Sequence, residues 1–282
     1  MNLSGASDTP SMWAVQMAME GTGVAPQRVA CLEVRGGNHM ATYSVQLPGL
    51  AGWVSCRPLQ SAPRGGDVYY MSSCSQGVIA RVALADVSGH GKAVSQAAGR
   101  LREALRRHVE EWDQSTLIRQ LNDTFLKHSG KPRFATAFIG SIYSVSGELL
   151  FTNAGHVPPL WYRAATRKWS FLSDSTPLGK DIVDLPLGLI AGTSYSQTAV
   201  QLQPHDLLLL YTDGINESYD ESGTQLGLER LLALARNLPT ESAAAAGKGL
   251  LEAVSRFRGA APGTDDVTVF ALERRAIGGD HG

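Results

Sequence analysis

The chain has 282 residues, 43% of them hydrophobic and 18% charged, which is enough apolar material for one large core or two small ones. A formal net charge of -1 at pH 7 excludes a global basic field for nucleic acid and an acidic solvating tail, so partners must be argued from local sites. Cys31, Cys56 and Cys74 are widely spaced and form no CxxC pair, which points to neither a disulfide framework nor a zinc site and favours a reducing, cytoplasmic setting. No basic-then-apolar leader and no apolar stretch of membrane-spanning length occurs, so neither secretion nor membrane insertion is expected.

In chain order, Asp8 or Thr9 as a cap, Pro10 at the first helical position and Gly21 as a stop predict one short N-terminal helix. The runs "RVACLEV", "AGWVSCRP", "GDVYYMSSC" and "VIARVALAD" follow, rich in Val, Tyr, Ala and Leu and separated by turn residues, and they read as strands. Val94, Ala97, Ala98, Leu101, Leu105 and Val109 then recur at helical spacing from Gly91 to about Trp112. A second helix, "STLIRQLNDTFLKHS", is expected to be capped by Ser115 or Thr116. Strands resume in "RFATAFIGSIYS", "GELLFTNAGH", "PPLWYRAA", "YSQTAVQLQ" and "DLLLLYTDG", with "VSGE" as a hairpin turn between the first two. Two helices, "LGLERLLALARNL" and "ESAAAAGKGLLEAVSRF", precede a last strand, "DDVTVFALERR", and a tail expected to fray. Strands in consecutive blocks with helices between the blocks imply an antiparallel α+β architecture rather than βαβ units.

Four acids sit where the apolar strands begin or end: Asp67 before "VYYM", Asp86 closing "VALAD", Asp213 closing "LLLLYTD" and Asp265 opening "DDVTVF". Each one alone reads as turn punctuation. Four carboxylates together at sheet rims would be costly to hold beside so much apolar sequence unless a cation met them. An all-oxygen donor set with no cysteine nearby suits Mg²⁺ or Mn²⁺. Glycines next to or near each acid let the backbone bring a carbonyl close to an ion, and that of Val87 is the natural candidate. His90 in "SGHG" reads equally as a helix-capping or core imidazole and as a catalytic one, and His156 in "NAGH" shares the ambiguity.

Gly65-Gly66-Asp67 is not followed by Glu-Phe as in the nucleotide-cyclase signature, and neither a G-x-S-x-G elbow nor a phosphate-binding P-loop occurs. The ordered set "GGDVYY", "ADVSGHG", "RFATAFIGSIYS", "FTNAGHVPPLWYR", "DLPLGL", "LLLLYTDGINES" and "GTDDVTVFAL" resembles bacterial metal-dependent protein phosphatases of the SpoIIE type, relatives of the eukaryotic type-2C serine/threonine phosphatases. The resemblance implies a four-layer αββα sandwich, two antiparallel sheets flanked by helices, with a two-metal site at one end. It implies metal contacts from Asp67, from Asp86 as the bridging acid, from the Val87 carbonyl, from Asp213 and from Asp265, with Asp266 supporting them. Tyr70 stands where members often carry a second acid, and Gly155-His156 stands where the eukaryotic branch has Gly-Asp.

The domain division expected from the resemblance is an N-terminal extension over 1–27, a phosphatase domain over 28–275 and a disordered tail over 276–282. The extension is too short for the sensor domain many relatives carry. Trp13 could pack its helix on the body or on a second copy, an ordinary docked helix being the plainer reading. The expected reaction is hydrolysis of phosphoserine or phosphothreonine in a protein. Two Mn²⁺ or Mg²⁺ ions would acidify a shared water that attacks phosphorus in line. His90 would protonate the departing oxygen, and Arg64 could help hold the phosphate, although a solvated surface arginine is the plainer reading. The expected partner is a phosphorylated regulatory protein such as a STAS-domain anti-sigma-factor antagonist, met by a monomer or homodimer. Two other readings stay open: a phosphoprotein-binding module without turnover, and a phosphohydrolase of small molecules.

Overall fold

The computed structural model describes residues 26–30, 33–74, 77–89, 91–111, 113–128, 133–172 and 184–276. The expected N-terminal helix with Trp13, the imidazole of His90 and the tail beyond 276 lie outside the described residues. The first strands are β1 (Gln27–Arg28), β2 (Val34–Gly37), β3 (Ala41–Leu47), β4 (Leu50–Arg57), β5 (Val68–Cys74) and β6 (Ile79–Val87), followed by helices α1 (Lys92–Arg107) and α2 (Gln114–His128). Next come β7 (Ala135–Tyr143), β8 (Glu148–Ala154), β9 (Leu160–Arg163), β10 (Lys168–Phe171), β11 (Thr198–Gln201) and β12 (Leu207–Tyr211). Helices α3 (Asp213–Asn216), α4 (Gly227–Ala235) and α5 (Ala243–Arg258) and strand β13 (Val267–Arg274) complete the order.

The strands form two sheets, one in the order β1-β3-β4-β13-β12-β9-β10 and the other β11-β8-β7-β6-β5-β2. The period-2 alternation of side chains sorts apolar residues into three layers of core. Leu208, Leu210, Phe270 and Leu272 from one sheet meet Tyr69, Met71, Val82, Leu84, Phe138 and Phe151 from the other. The opposite faces are covered by helices. Leu207, Leu209, Tyr211 and Val269 pack under α4 and α5 through Leu231 and Leu250. Val68, Tyr70, Ala83 and Ala85 pack under α1 and α2 through Val94, Leu101, Leu117 and Leu121. Each fully buried Leu or Phe contributes about 1.5–3 kcal/mol. The helix–sheet–sheet–helix sandwich read from the sequence is therefore the observed one.

Several elements differ in detail. The short β1 pairs in parallel with β3, so one sheet is not wholly antiparallel. Strands β3 and β10 are additions to the sequence reading, and "RVACLEV" is not one strand: among its described residues only Arg28, in β1, and Val34, which opens β2, lie in strands. The cap of α2 is Asp113, not Ser115 or Thr116: its carboxylate accepts from the backbone N–H of Ser115 and Thr116 and from both hydroxyls, and these bonds hold its pKa down to about 2. The cap of α5 is Ser242, which accepts from Ala245 N–H at 3.1 Å. Cys56 is a buried free thiol. No helix among the described residues is long and apolar enough to cross a membrane.

Two registers place the site. Val68 opposite Ala85 puts the start of β5 beside the end of β6, and Tyr211 opposite Val269 puts the end of β12 beside the start of β13. Both pairs of ends lie at the same end of the sandwich, because Thr212 at the end of one sheet donates its hydroxyl to Asp67 at the end of the other, at 2.8 Å.

Candidate functional site

Four segments converge there. Asp67, immediately before β5, is buried and receives the Thr212 hydroxyl, whose oxygen in turn accepts from Thr268 N–H at 3.0 Å. Asp86 lies within β6, which runs one residue further than expected, to Val87. Asp213 does not end a strand: β12 stops at Tyr211 and Asp213 opens the single-turn α3. Asp265 is exposed two residues ahead of β13, not at its first position, and its carboxylate accepts from Asp266 N–H at 2.7 Å.

Asp266 does more than the sequence suggested. Its two carboxylate oxygens accept from Leu59 N–H at 2.6 Å and Gly66 N–H at 2.5 Å, so it fixes the loop that carries Asp67. The space allows only glycine: a Cβ on Gly65 would stand 2.3 Å from the Asp266 carboxylate. On Gly66 it would stand 3.0 Å from the Val87 carbonyl and 3.4 Å from Asp86 Oδ1. The Val87 carbonyl, singled out from sequence, thus faces the Gly-Gly-Asp loop.

The electrostatics are those of crowded, buried acids. Burial, then the charges of Asp213, Asp265, Asp266 and Glu217, push the Asp86 carboxyl up to about 7. Burial, then Asp86 and Asp266, raise that of Asp67 well above the carboxylate range, and burial, then Glu217, raises that of Asp213. Glu217 was missed by the sequence reading. Its signal was spacing: it follows Asp213 by four residues, and its N–H closes the turn on the Asp213 carbonyl at 2.7 Å.

No three His, Cys, Asp or Glu side chains among the described residues stand close enough to enclose an ion as they are. The donors nevertheless fit a hard divalent cation. They are all oxygens, they repel one another, and the missing Cβ of Gly66 leaves a cradle beside the Val87 carbonyl and Asp86. Arg64 is exposed at the rim of this loop. His156 is a core residue: it is buried, which depresses its pKa to about 4, and its Nδ1 is 2.9 Å from the Thr136 hydroxyl. Asn153 closes the turn around it by accepting from His156 N–H and donating to the His156 carbonyl. Tyr70 is buried beneath the helices, so position 70 faces away from the acids.

Comparison with known proteins gives this geometry a lineage. Phosphoserine phosphatase RsbU of Bacillus subtilis (strain 168) is 24% identical over 159 residues, which are 56% of this chain and 44% of RsbU. The crystal structure of the RsbU and RsbW domains of a Mycobacterium tuberculosis protein superposes with a TM-score of 0.70 at 25% identity, covering 84% of this chain and 63% of that one. The PP2C phosphatase domain of SpoIIE from Bacillus subtilis superposes with a TM-score of 0.66 at 17% identity, covering 86% and 70%. This chain thus spans less than two thirds of the first two relatives. The model of the stage II sporulation protein E (SpoIIE) family matches residues 79–275, more than half of the chain, beginning after Asp67 and taking in Asp86, Asp213 and Asp265. With that match and the shared sandwich, the chain belongs to the SpoIIE family.

Proposed function

We propose that the protein is a metal-dependent phosphoserine/phosphothreonine protein phosphatase. The observation that carries this reading is the convergence of acids from both sheets on one end of the sandwich, where burial and then mutual repulsion push Asp86 up to about 7. Such a cluster is held at a cost to folding and is stabilised by binding positive charge. Bound Mn²⁺ or Mg²⁺ supplies Lewis-acid polarisation of the phosphoryl oxygens and a water of lowered pKa. Asp67, Asp86, the Val87 carbonyl, Asp213 and Asp265 are the residues that would hold two ions. No nucleophilic Ser or Cys is needed.

The rest of the reaction falls to the chain's own groups. To His90, four residues beyond Asp86 in sequence, we assign the donation of a proton to the departing serine or threonine oxygen, a poor leaving group as an alkoxide. Arg64, exposed beside Gly65, can meet a phosphate oxygen. The naming of the Bacillus relative as a phosphoserine phosphatase supports a phosphoserine substrate. The sequence resemblance supports a phosphorylated STAS-domain anti-sigma-factor antagonist in the cytoplasm.

One assay tests the reading. The wild-type chain and His90→Ala are given a phosphoserine protein, phosphorylated metabolites and nitrophenyl phosphate with Mn²⁺. The expected result is wild-type turnover centred on the phosphoprotein. His90→Ala should be slowed about 10²-fold there and much less on nitrophenyl phosphate, whose leaving group needs no proton. Turnover confined to metabolites would instead make the chain a small-molecule phosphohydrolase. Binding of the phosphoprotein without turnover would make it a recognition module, and equal losses on both substrates would remove His90 as the proton donor.

A further inference from the structure

The loop that carries Asp67 and the end of β6 that carries Asp86 and Val87 belong to neighbouring strands, and something must hold them in register while like charges push them apart. Asn38, just beyond the end of β2, is only 3% exposed. Its backbone carbonyl accepts from Gly65 N–H at 2.8 Å, and its Nδ2 donates to the Gly65 carbonyl at 3.0 Å. The same Nδ2 donates to the Ser95 carbonyl, also at 3.0 Å, in the first turn of α1. That turn is the direct continuation of the Asp86–Val87 segment. The Val94 methyls reach back to within 3.0 Å of a Cβ built on Gly66 and 3.3 Å of one built on Gly89.

We infer that Asn38 is a positioning residue for the cation site, joining the Gly65-Gly66-Asp67 loop to the start of α1 and so setting the distance between Asp67 and the Asp86–Val87 pair. The inference rests on the metal reading above. The chemistry selects the amide. Both groups facing Nδ2 are carbonyl oxygens, so the side chain must present two N–H donors from one nitrogen, and of the short side chains only an amide does so. Asp266 grips the same loop from its other side through Gly66 N–H. The loop is therefore held at adjacent residues by two buried or half-buried side chains from different sheets. Outer groups that orient ligands in this way typically govern affinity by about 10–100-fold.

The test uses Asn38→Asp and Asn38→Ala in the full chain, with Mn²⁺ affinity measured by titration calorimetry and the Mn²⁺ dependence of turnover measured alongside. Asn38→Asp keeps the shape, removes both donors and adds a negative charge that would by itself attract a cation more strongly. The expected result is weaker Mn²⁺ binding in both variants, by about 10–100-fold, with the half-saturating Mn²⁺ concentration raised and the maximal turnover largely recovered at saturation. Tighter or unchanged binding in Asn38→Asp would overturn the inference, as would a lower melting temperature in both variants at unchanged affinity. A wild-type chain that binds no Mn²⁺ would overturn the metal reading itself. Normal wild-type binding shared by both variants would overturn the role of Asn38 alone.

Discussion

Asp86→Asn is expected to lower turnover by roughly 10³-fold, the several kcal/mol that a metal's charge stabilisation supplies, and at the same time to raise the melting temperature of the metal-free chain. The two effects share one cause. Asp86 lies among Asp213, Asp265, Asp266 and Glu217, and burial together with these charges pushes its carboxyl up to about 7. An ionised Asp86 is therefore unfavourable in the folded chain until a cation offsets it. Asparagine keeps the side-chain shape and removes that charge, so the metal-free fold relaxes while a carboxylate of the proposed cation site is lost. Scanning calorimetry in chelator at pH 8 reads the first effect, at about 2–4 °C for each kcal/mol gained. Phosphate release with saturating Mn²⁺ reads the second. A melting temperature that fell would mean that the carboxylate supports the fold instead of straining it. Wild-type turnover at limiting Mn²⁺ would remove Asp86 from the cation site.

Gly214→Ala is expected to harm the fold and the site together. Gly214 is buried in α3, directly after Asp213, and an added Cβ would stand 2.1 Å from the Asp266 carbonyl oxygen and 3.2 Å from its carbon. The obstacle is backbone, so no side-chain rotation relieves it, and either α3 or the segment before β13 must move. Overpacking of this kind costs about 1–3 kcal/mol. It would also shift Asp266, whose carboxylate holds Leu59 N–H and Gly66 N–H, so affinity for Mn²⁺ should fall together with stability. Urea unfolding measures the first and calorimetric titration the second. Gly99→Ala is the control: nothing lies within 4 Å of a Cβ there, and in the middle of α1 alanine should stabilise by up to about 1 kcal/mol. Equal stability of Gly214→Ala and wild type would show that the two segments pack less tightly than described.

The large features of the fold were readable because apolar periodicity is locally encoded. Runs such as Leu207–Tyr211 and Val267–Arg274 declare themselves as strands, and Val94, Ala97, Leu101 and Leu105 as one helix face. Strand β3, "ATYSVQL", was readable in the same way, although the sequence reading does not include it: Ala41, Tyr43, Val45 and Leu47 alternate strictly with Thr42, Ser44 and Gln46, the period-2 pattern of a half-buried strand, and it pairs with β4 along its whole length. The four acids could be singled out because each one borders an apolar run in the sequence. Their relative importance could not. Asp265 and Asp266 are adjacent in sequence, and only the fold shows that Asp266 turns inward to two N–H groups while Asp265 stays at the rim. Asn38 had no signal at all: an asparagine after two glycines reads as a turn, and its function depends on Gly65 and on Ser95, 57 residues away along the chain.

The most direct test of the account is the metal dependence of phosphate release from a phosphoserine protein. The chain is stripped with chelator, assayed, and assayed again after Mn²⁺ is restored. The account predicts no release above background in the stripped protein, full return on addition of Mn²⁺, and loss of that return in Asp86→Asn. Release that persists in chelator, or its absence at saturating Mn²⁺ in a wild-type chain that binds the phosphoprotein, would contradict it.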